Sequence, residues 1–245
     1  MRAAFDLSYA LLPADQARAF RLLWLVAYDS ISTEAAARSL GTTETETRRL
    51  LRALARAGLL RNTGSDGDRW SMHDLLAHYA EERRSAEAAP ENDRQALARL
   101  MEHYLTVTTQ AHSRLLPMRV PDLPGGVAHA SRSAGDLREA DCRFDGPEPA
   151  LAWLDEERDN LVTTVHLGRY MEIAELSVSL AVMLSCYFDL RGDRASWLLV
   201  AKSAVEAADE AEDHRLLADA LDAYGNALYA AGRSEEAVNI LFHAA

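Results

Sequence analysis

At 245 residues the chain is long enough for one large or two modest domains that each bury a core, and 49% apolar but only 7% aromatic residues, with Gly and Pro sparse, suit helices packed through Ala and Leu. A net charge of −12 and a pI near 5.1 exclude a protein whose whole surface attracts nucleic acid or an anionic membrane. Cys142 and Cys186 are too few and too scattered for a disulfide framework or a zinc site, and no apolar run approaches the ~20 residues of a membrane span, so a soluble protein of the reducing cytoplasm is expected.

The expected fold class is mainly α: a winged helix with a small β-hairpin over residues 1–88, then an α-α helical-repeat domain over 89–245. After Pro13, residues Phe20, Leu23, Trp24 and Ala27 recur at helical spacing and predict a first helix. Ser32 is an N-cap for a short second helix carrying Ala36 and Leu40, and Gly41 fits its left-handed end. Thr43 and Glu46 form a Thr-x-x-Glu capping box that opens a third helix with Thr47, Leu50, Leu51 and Leu54 inward, and Gly58 closes it. Leu59-Leu60-Arg61 and Arg69-Trp70-Ser71-Met72 read as two strands around a turn-rich Thr63–Asp68 segment. That order is a winged helix.

The familiar task of such a module is reading a DNA groove with its third helix, here through Thr43, Thr45, Arg48, Arg49 and Arg52. Glu44 and Glu46 at the same helix start would face phosphate oxygens, and Glu and Arg at helical spacing also describe an ordinary solvated face. A DNA-binding transcription factor domain is therefore the alternative reading. His73 is placed at the start of the next helix, where backbone N–H groups and the helix dipole favour an anion; the plainer reading is that it caps that helix.

Phe5-Asp6-Leu7-Ser8-Tyr9 before the first helix, the winged-helix pattern, and Met72-His73-Asp74 followed by Leu75-Leu76-x-x-Tyr79-Ala80 resemble the winged-helix module of NB-ARC-containing STAND ATPases, most closely the AfsR/SARP-type transcriptional regulators. The resemblance implies that Met72, His73 and Asp74 sense nucleotide, with His73 meeting the β-phosphate of ADP, Met72 packing and Asp74 bracing the helix start. It also implies an intramolecular NB-ARC partner domain, ADP or ATP bound by the parent protein, DNA contacted through other domains of that parent, and control of secondary metabolism. The departure from the family is the lack of a Gly-x-x-x-x-Gly-Lys-Ser/Thr loop; the lone Lys202 lies in an Ala-rich helix. The chain thus reads as a non-enzymatic piece of a larger ATPase, with no cofactor of its own.

Ser85–Asp93 reads as a joint, and a helix follows from about Asp93 with Leu97, Leu100, Met101, Tyr104 and Leu105 on one side. Residues 117–149, rich in Pro and Gly, predict an irregular loop. The eight histidines show no tight metal spacing. From Pro149 an amphipathic helix is expected, with Leu151, Leu154, Arg158, Leu161 and Val162 sharing a side; adjacent Glu156 and Glu157 face apart and cannot act as a catalytic pair. Its Ala-x-x-Trp-Leu start also resembles the segment that introduces the tetratricopeptide region of the same regulators. Leu221, Tyr224, Gly225, Leu228, Gly232, Ala237, Leu241 and Ala244 match the tetratricopeptide signature, and Leu184, Ser185, Phe188, Gly192, Ala201 and Ala204 form a weaker copy with Trp197 at a small-residue position. The expected partner is a protein or peptide in the repeat groove. The last helix would lack a polar cap, as in a chain cut inside its final repeat, and could support a homo-oligomer.

Overall fold

Local caps set the helix ends of the N-terminal region. Ser32 takes extended backbone and accepts the Ala35 N–H at 3.1 Å, which starts α3 (Thr33–Leu40), and Gly41 ends it at φ 68°. Both halves of the Thr43/Glu46 capping box form and open α4 (Glu44–Arg56), with Thr47, Leu50, Leu51 and Leu54 buried as expected. The computed structural model describes residues 2–26, 29–64, 67–87, 90–116 and 142–244, and its contacts divide the chain into two units, Met1–Leu100 and Met101–Ala245.

In the first unit, α1 (Arg2–Ala10) and α2 (Ala14–Val26) precede α3 and α4. Phe5–Tyr9 is therefore itself helical, not a lead-in to the first helix. Its supports are distant in sequence: Arg2 pairs with Glu82, and Asp6 accepts from Tyr79 and Arg83. Phe20, Leu22 and Leu23 of α2 are buried, while Ala27 lies outside the described residues.

Among the described residues the sheet has three strands, one more than expected. β1 (Ser30–Ser32) and β2 (Arg61–Asn62) both pair antiparallel with β3 (Arg69–Ser71), in the order β1-β3-β2. Ile31 sits opposite a buried Trp70, whose indole N–H donates to Thr33 Oγ1 at 2.9 Å. Leu59 and Leu60 are buried ahead of β2 rather than paired in it, and Met72 falls outside β3. Then come α5 (Asp74–Ala86) and α6 (Pro90–Leu115). α6 begins three residues earlier than expected, and by its contacts the first unit extends to Leu100. Arg84 pairs with Asp93 at 2.7 Å and Arg99 donates to the Ser39 carbonyl at 2.8 Å, which ties the start of α6 to the first unit.

The second unit holds the remainder of α6 with α7 (Pro147–Tyr170), α8 (Ala174–Arg191), α9 (Arg194–Glu210), α10 (His214–Ala230) and α11 (Ser234–Ala244). Of the expected loop at 117–149, residues 117–141 lie outside the described residues and Pro147–Pro149 are already helical, because Pro suits the first turn of α7. Tyr104 and Asn160 both hydrogen-bond Glu157, which is buried, while Glu156 is exposed, so the two carboxylates do face apart.

The turns between these helices share one geometry. Glu172, Gly192, Glu212 and Gly232 adopt φ of 56°, 65°, 54° and 77°, at intervals of 20 residues. After each, an N–H reaches back five residues: Ile173 to Gly168, Asp193 to Phe188, Asp213 to Ala208 and Arg233 to Leu228, closing a Schellman turn. α7 packs on α8 and α9, α8 on α9 and α10, and α10 on α11, as in stacked helix hairpins. The hairpin step, two intervals of 20 residues, exceeds the 34 of a tetratricopeptide unit.

Asp193 links α7 to the turn between α8 and α9. It caps α9 by accepting the Ser196 N–H at 3.2 Å, and Arg158 Nε and Nη2 reach it from α7 at 2.8 and 2.6 Å. Burial alone would raise its pKa, but the Arg158 and Ser196 bonds outweigh that and hold the carboxyl below its ordinary value. A depressed folded-state pKa gives stability that is present above the unfolded value near 3.9 and is lost as pH falls through the folded one. Asp193→Asn keeps a capping oxygen and removes the titrating charge. Acid titration followed by circular dichroism should show a shallower loss of stability below about pH 4 in the variant; parallel acid limbs would refute the assignment.

Candidate functional site

β3 delivers the chain to His73, which takes extended backbone (φ −67°, ψ 142°) as the N-cap of α5. Its Nδ1 accepts the Leu75 N–H at 3.3 Å, so the neutral ring carries its proton on Nε2, and its carbonyl accepts the Leu76 and Ala77 N–H groups. His73 and Asp74 are exposed and Met72 is half-buried. The plainer sequence reading, a helix cap, is thus realised, and the ring still keeps a donor.

Beside His73 lies an open cavity of about 250 Å³. Phe5, Leu59, Leu60 and Leu75 supply apolar wall, while His73 and the exposed Arg61 supply an imidazole and a positive charge. An N–H donor and a guanidinium can together take a negatively charged oxygen with an apolar body behind it. Sequence reasoning singled out His73 but missed Phe5, Leu59 and Leu60; the unpaired Leu59-Leu60 doublet ahead of a charged β2 was the available signal.

The second surface is the outer face of α4. At about 100° per residue, Thr45, Arg48, Arg49, Arg52 and Arg56 share a stripe about 100° wide, opposite the buried Thr47, Leu50, Leu51 and Leu54. These five residues line a shallow depression of about 470 Å³. Arg48 pairs with Asp68 at 3.1 Å and Arg49 with Asp15 at 3.6 Å.

The chain resembles regulatory proteins of Streptomyces along nearly its whole length. It is 28% identical over 247 aligned positions to "Regulatory protein AfsR" of Streptomyces coelicolor and 26% identical over 244 to that of Streptomyces griseus, each alignment covering 97% of this chain. The chain spans 23% of the length of either relative. No family model and no solved structure matches it.

The similarity to AfsR regulatory proteins runs through both units, so it covers the cap at His73 and the helix stack alike. In the stack, the tetratricopeptide-like positions of α10 and α11 do meet. A Cβ on Gly225 would stand 2.6 Å from the Leu241 side chain, and Ala237 and Leu228 are buried. Gly232 makes the turn; Leu221 and Tyr224 are half-buried, Leu241 is exposed, and the Ala244 side chain lies outside the described residues. Among the described residues no group of His, Cys, Asp and Glu could hold a metal ion, and no helix is long and apolar enough to cross a membrane.

Proposed function

We propose that the chain is the switch-and-sensor region of an AfsR-like transcriptional regulator. The observation that carries this reading is end-to-end similarity to AfsR regulatory proteins over 97% of the chain. In it, His73 offers its Nε2–H to a nucleotide phosphate that an NB-ARC-type ATPase domain of the same polypeptide presents, and the closed state is held while ADP stays. Met72, half-buried ahead of the cap, fixes the approach of β3, and Asp74 complements the first turn of α5. The helical repeats bind a protein or peptide that biases the switch, and DNA is contacted by another domain.

The test joins this segment to a phosphate-binding-loop domain of the same gene and follows release of a fluorescent ADP analogue. One hydrogen bond to a charged phosphate contributes about 1.5–3 kcal/mol, so His73→Ala should speed release by roughly 10- to 100-fold while His73→Gln retains part of the effect. Equal release from wild type and His73→Ala would sink the assignment.

A further inference from the structure

The acidity of the chain is not evenly spread. Residues 1–100 carry 14 basic and 14 acidic side chains and are neutral, whereas residues 101–245 carry 12 basic and 24 acidic ones and hold the whole net charge of −12. Within the neutral unit, positive charge is gathered on α4. Its two carboxylates do not share the arginine stripe: Glu44 and Glu46 lie about 100° to either side of Thr45. Glu46 is further committed to its own capping box, its Oε2 accepting the Thr43 N–H at 3.1 Å and hydroxyl at 2.8 Å. The repulsion expected from sequence is therefore displaced from the surface that the guanidinium groups occupy.

We propose that the arginine face of α4 binds the phosphate backbone of double-stranded DNA without reading its sequence. Arg52 and Arg56 are exposed and have no acidic partner within 4 Å among the described residues, while Arg48 and Arg49 are shared with single carboxylates at 35–72% side-chain exposure. From Thr45 to Arg56 the stripe runs about 16 Å, a length over which a duplex presents roughly ten phosphate charges. A protein partner fits the same face poorly. Arginine occurs in both kinds of interface, but the centre of a protein interface also carries aromatic and apolar side chains, whereas this stripe is one threonine and four arginines with no large apolar side chain, the composition of a nucleic-acid contact. Base readout is not part of the inference, because the carboxylates of Glu44 and Glu46 flank the helix start where base edges would be met. This surface is independent of the His73 site and of the switch reading built on it.

The test measures anisotropy of a labelled 20-base-pair duplex of arbitrary sequence with the whole 245-residue chain. Four phosphate contacts predict that affinity falls about 150-fold between 50 and 200 mM salt, and Arg52→Ala/Arg56→Ala, by leaving two, should cut that fall to about 10-fold and weaken binding at 50 mM. Both substituted residues are exposed on a helix, so melting of the variant should match wild type. Two unrelated duplexes should bind alike. The inference is overturned by no binding at 50 mM salt, by unchanged salt dependence in the folded double variant, by a ten-fold preference between duplexes, or by a Glu-rich peptide that binds this face more tightly than the duplex does.

Discussion

Replacing Gly168 with leucine should destabilise the helix stack by about 3 kcal/mol, a large part of the 5–15 kcal/mol typical of a domain. Gly168 is buried in α7 where α8 crosses it closely. A Cβ there would stand 2.1 Å from Ser177 Oγ and 2.9 Å from Met101 Cε, both closer than a real Cβ tolerates. Met101 can move the end of a flexible side chain. Ser177 is fully buried and already donates to the Ile173 carbonyl at 3.0 Å, so its displacement breaks a bond in the α7–α8 turn. Alanine separates the causes. Gly168→Ala gains up to about 1 kcal/mol of helix propensity but meets Ser177, and should come out destabilised; Gly168→Ala/Ser177→Ala removes the obstacle and should recover most of the loss. Urea unfolding of the four proteins closes the cycle, and an alanine penalty that ignores residue 177 would show that the close approach is not its origin. Gly225 provides the contrast: the atoms nearest its missing Cβ belong to a partly exposed Leu241 that can swing aside, so Gly225→Ala should be nearly neutral.

What the sequence made legible was what neighbours in the chain decide. Ser32, Gly41, the Thr43/Glu46 box and the buried stripe of α4 are specified within a turn or two, and all appear where the pattern placed them. β1 was invisible because Ser30-Ile31-Ser32 is too short to show a period, and its reason to be extended is β3, about 40 residues away. α1 was missed because Glu82, Tyr79 and Arg83 hold it from the far end of the unit. In the stack, glycine marks only two of the four left-handed turns. Glu172 and Glu212 occupy the others, where no local signal betrays a conformation that non-glycine residues seldom adopt. The 20-residue step therefore read as two uneven repeats. The candidate site divides in the same way: His73 and the arginines follow from motif and spacing, whereas the cavity needs Phe5 brought from α1, and the flanking position of Glu46 needs the helix wheel and the capping box considered together.

Tyr79 shows how those long-range supports bear on the site. It lies on α5, the helix that His73 caps, and is 4% exposed. Its ring stands 5.8 Å from Phe5, 5.9 Å from Tyr9 and 6.3 Å from Phe20, with the Arg83 guanidinium 5.0 Å from its centroid, and its hydroxyl donates to Asp6 at 2.8 Å. That hydroxyl is the leading reason the Asp6 carboxyl is held below its usual range, so the stability this contact adds is lost as pH falls through that depressed value. Tyr79→Ala removes an aromatic shared by α1, α2 and α5 and should cost about 3–5 kcal/mol, whereas Tyr79→Phe loses one hydrogen bond, about 1 kcal/mol, because Asp6 keeps Arg83. The alanine variant should therefore expose the amides of residues 2–10 to hydrogen exchange before the rest of the unit, and the phenylalanine variant should not. Phe5 walls the cavity beside His73, so release of α1 opens that cavity on one side while leaving the His73 cap formed. Amides of α1 that remained protected in Tyr79→Ala would mean that Arg2–Glu82 and the Asp6–Arg83 pair suffice to hold the helix, and that the aromatic cluster does not shape the site.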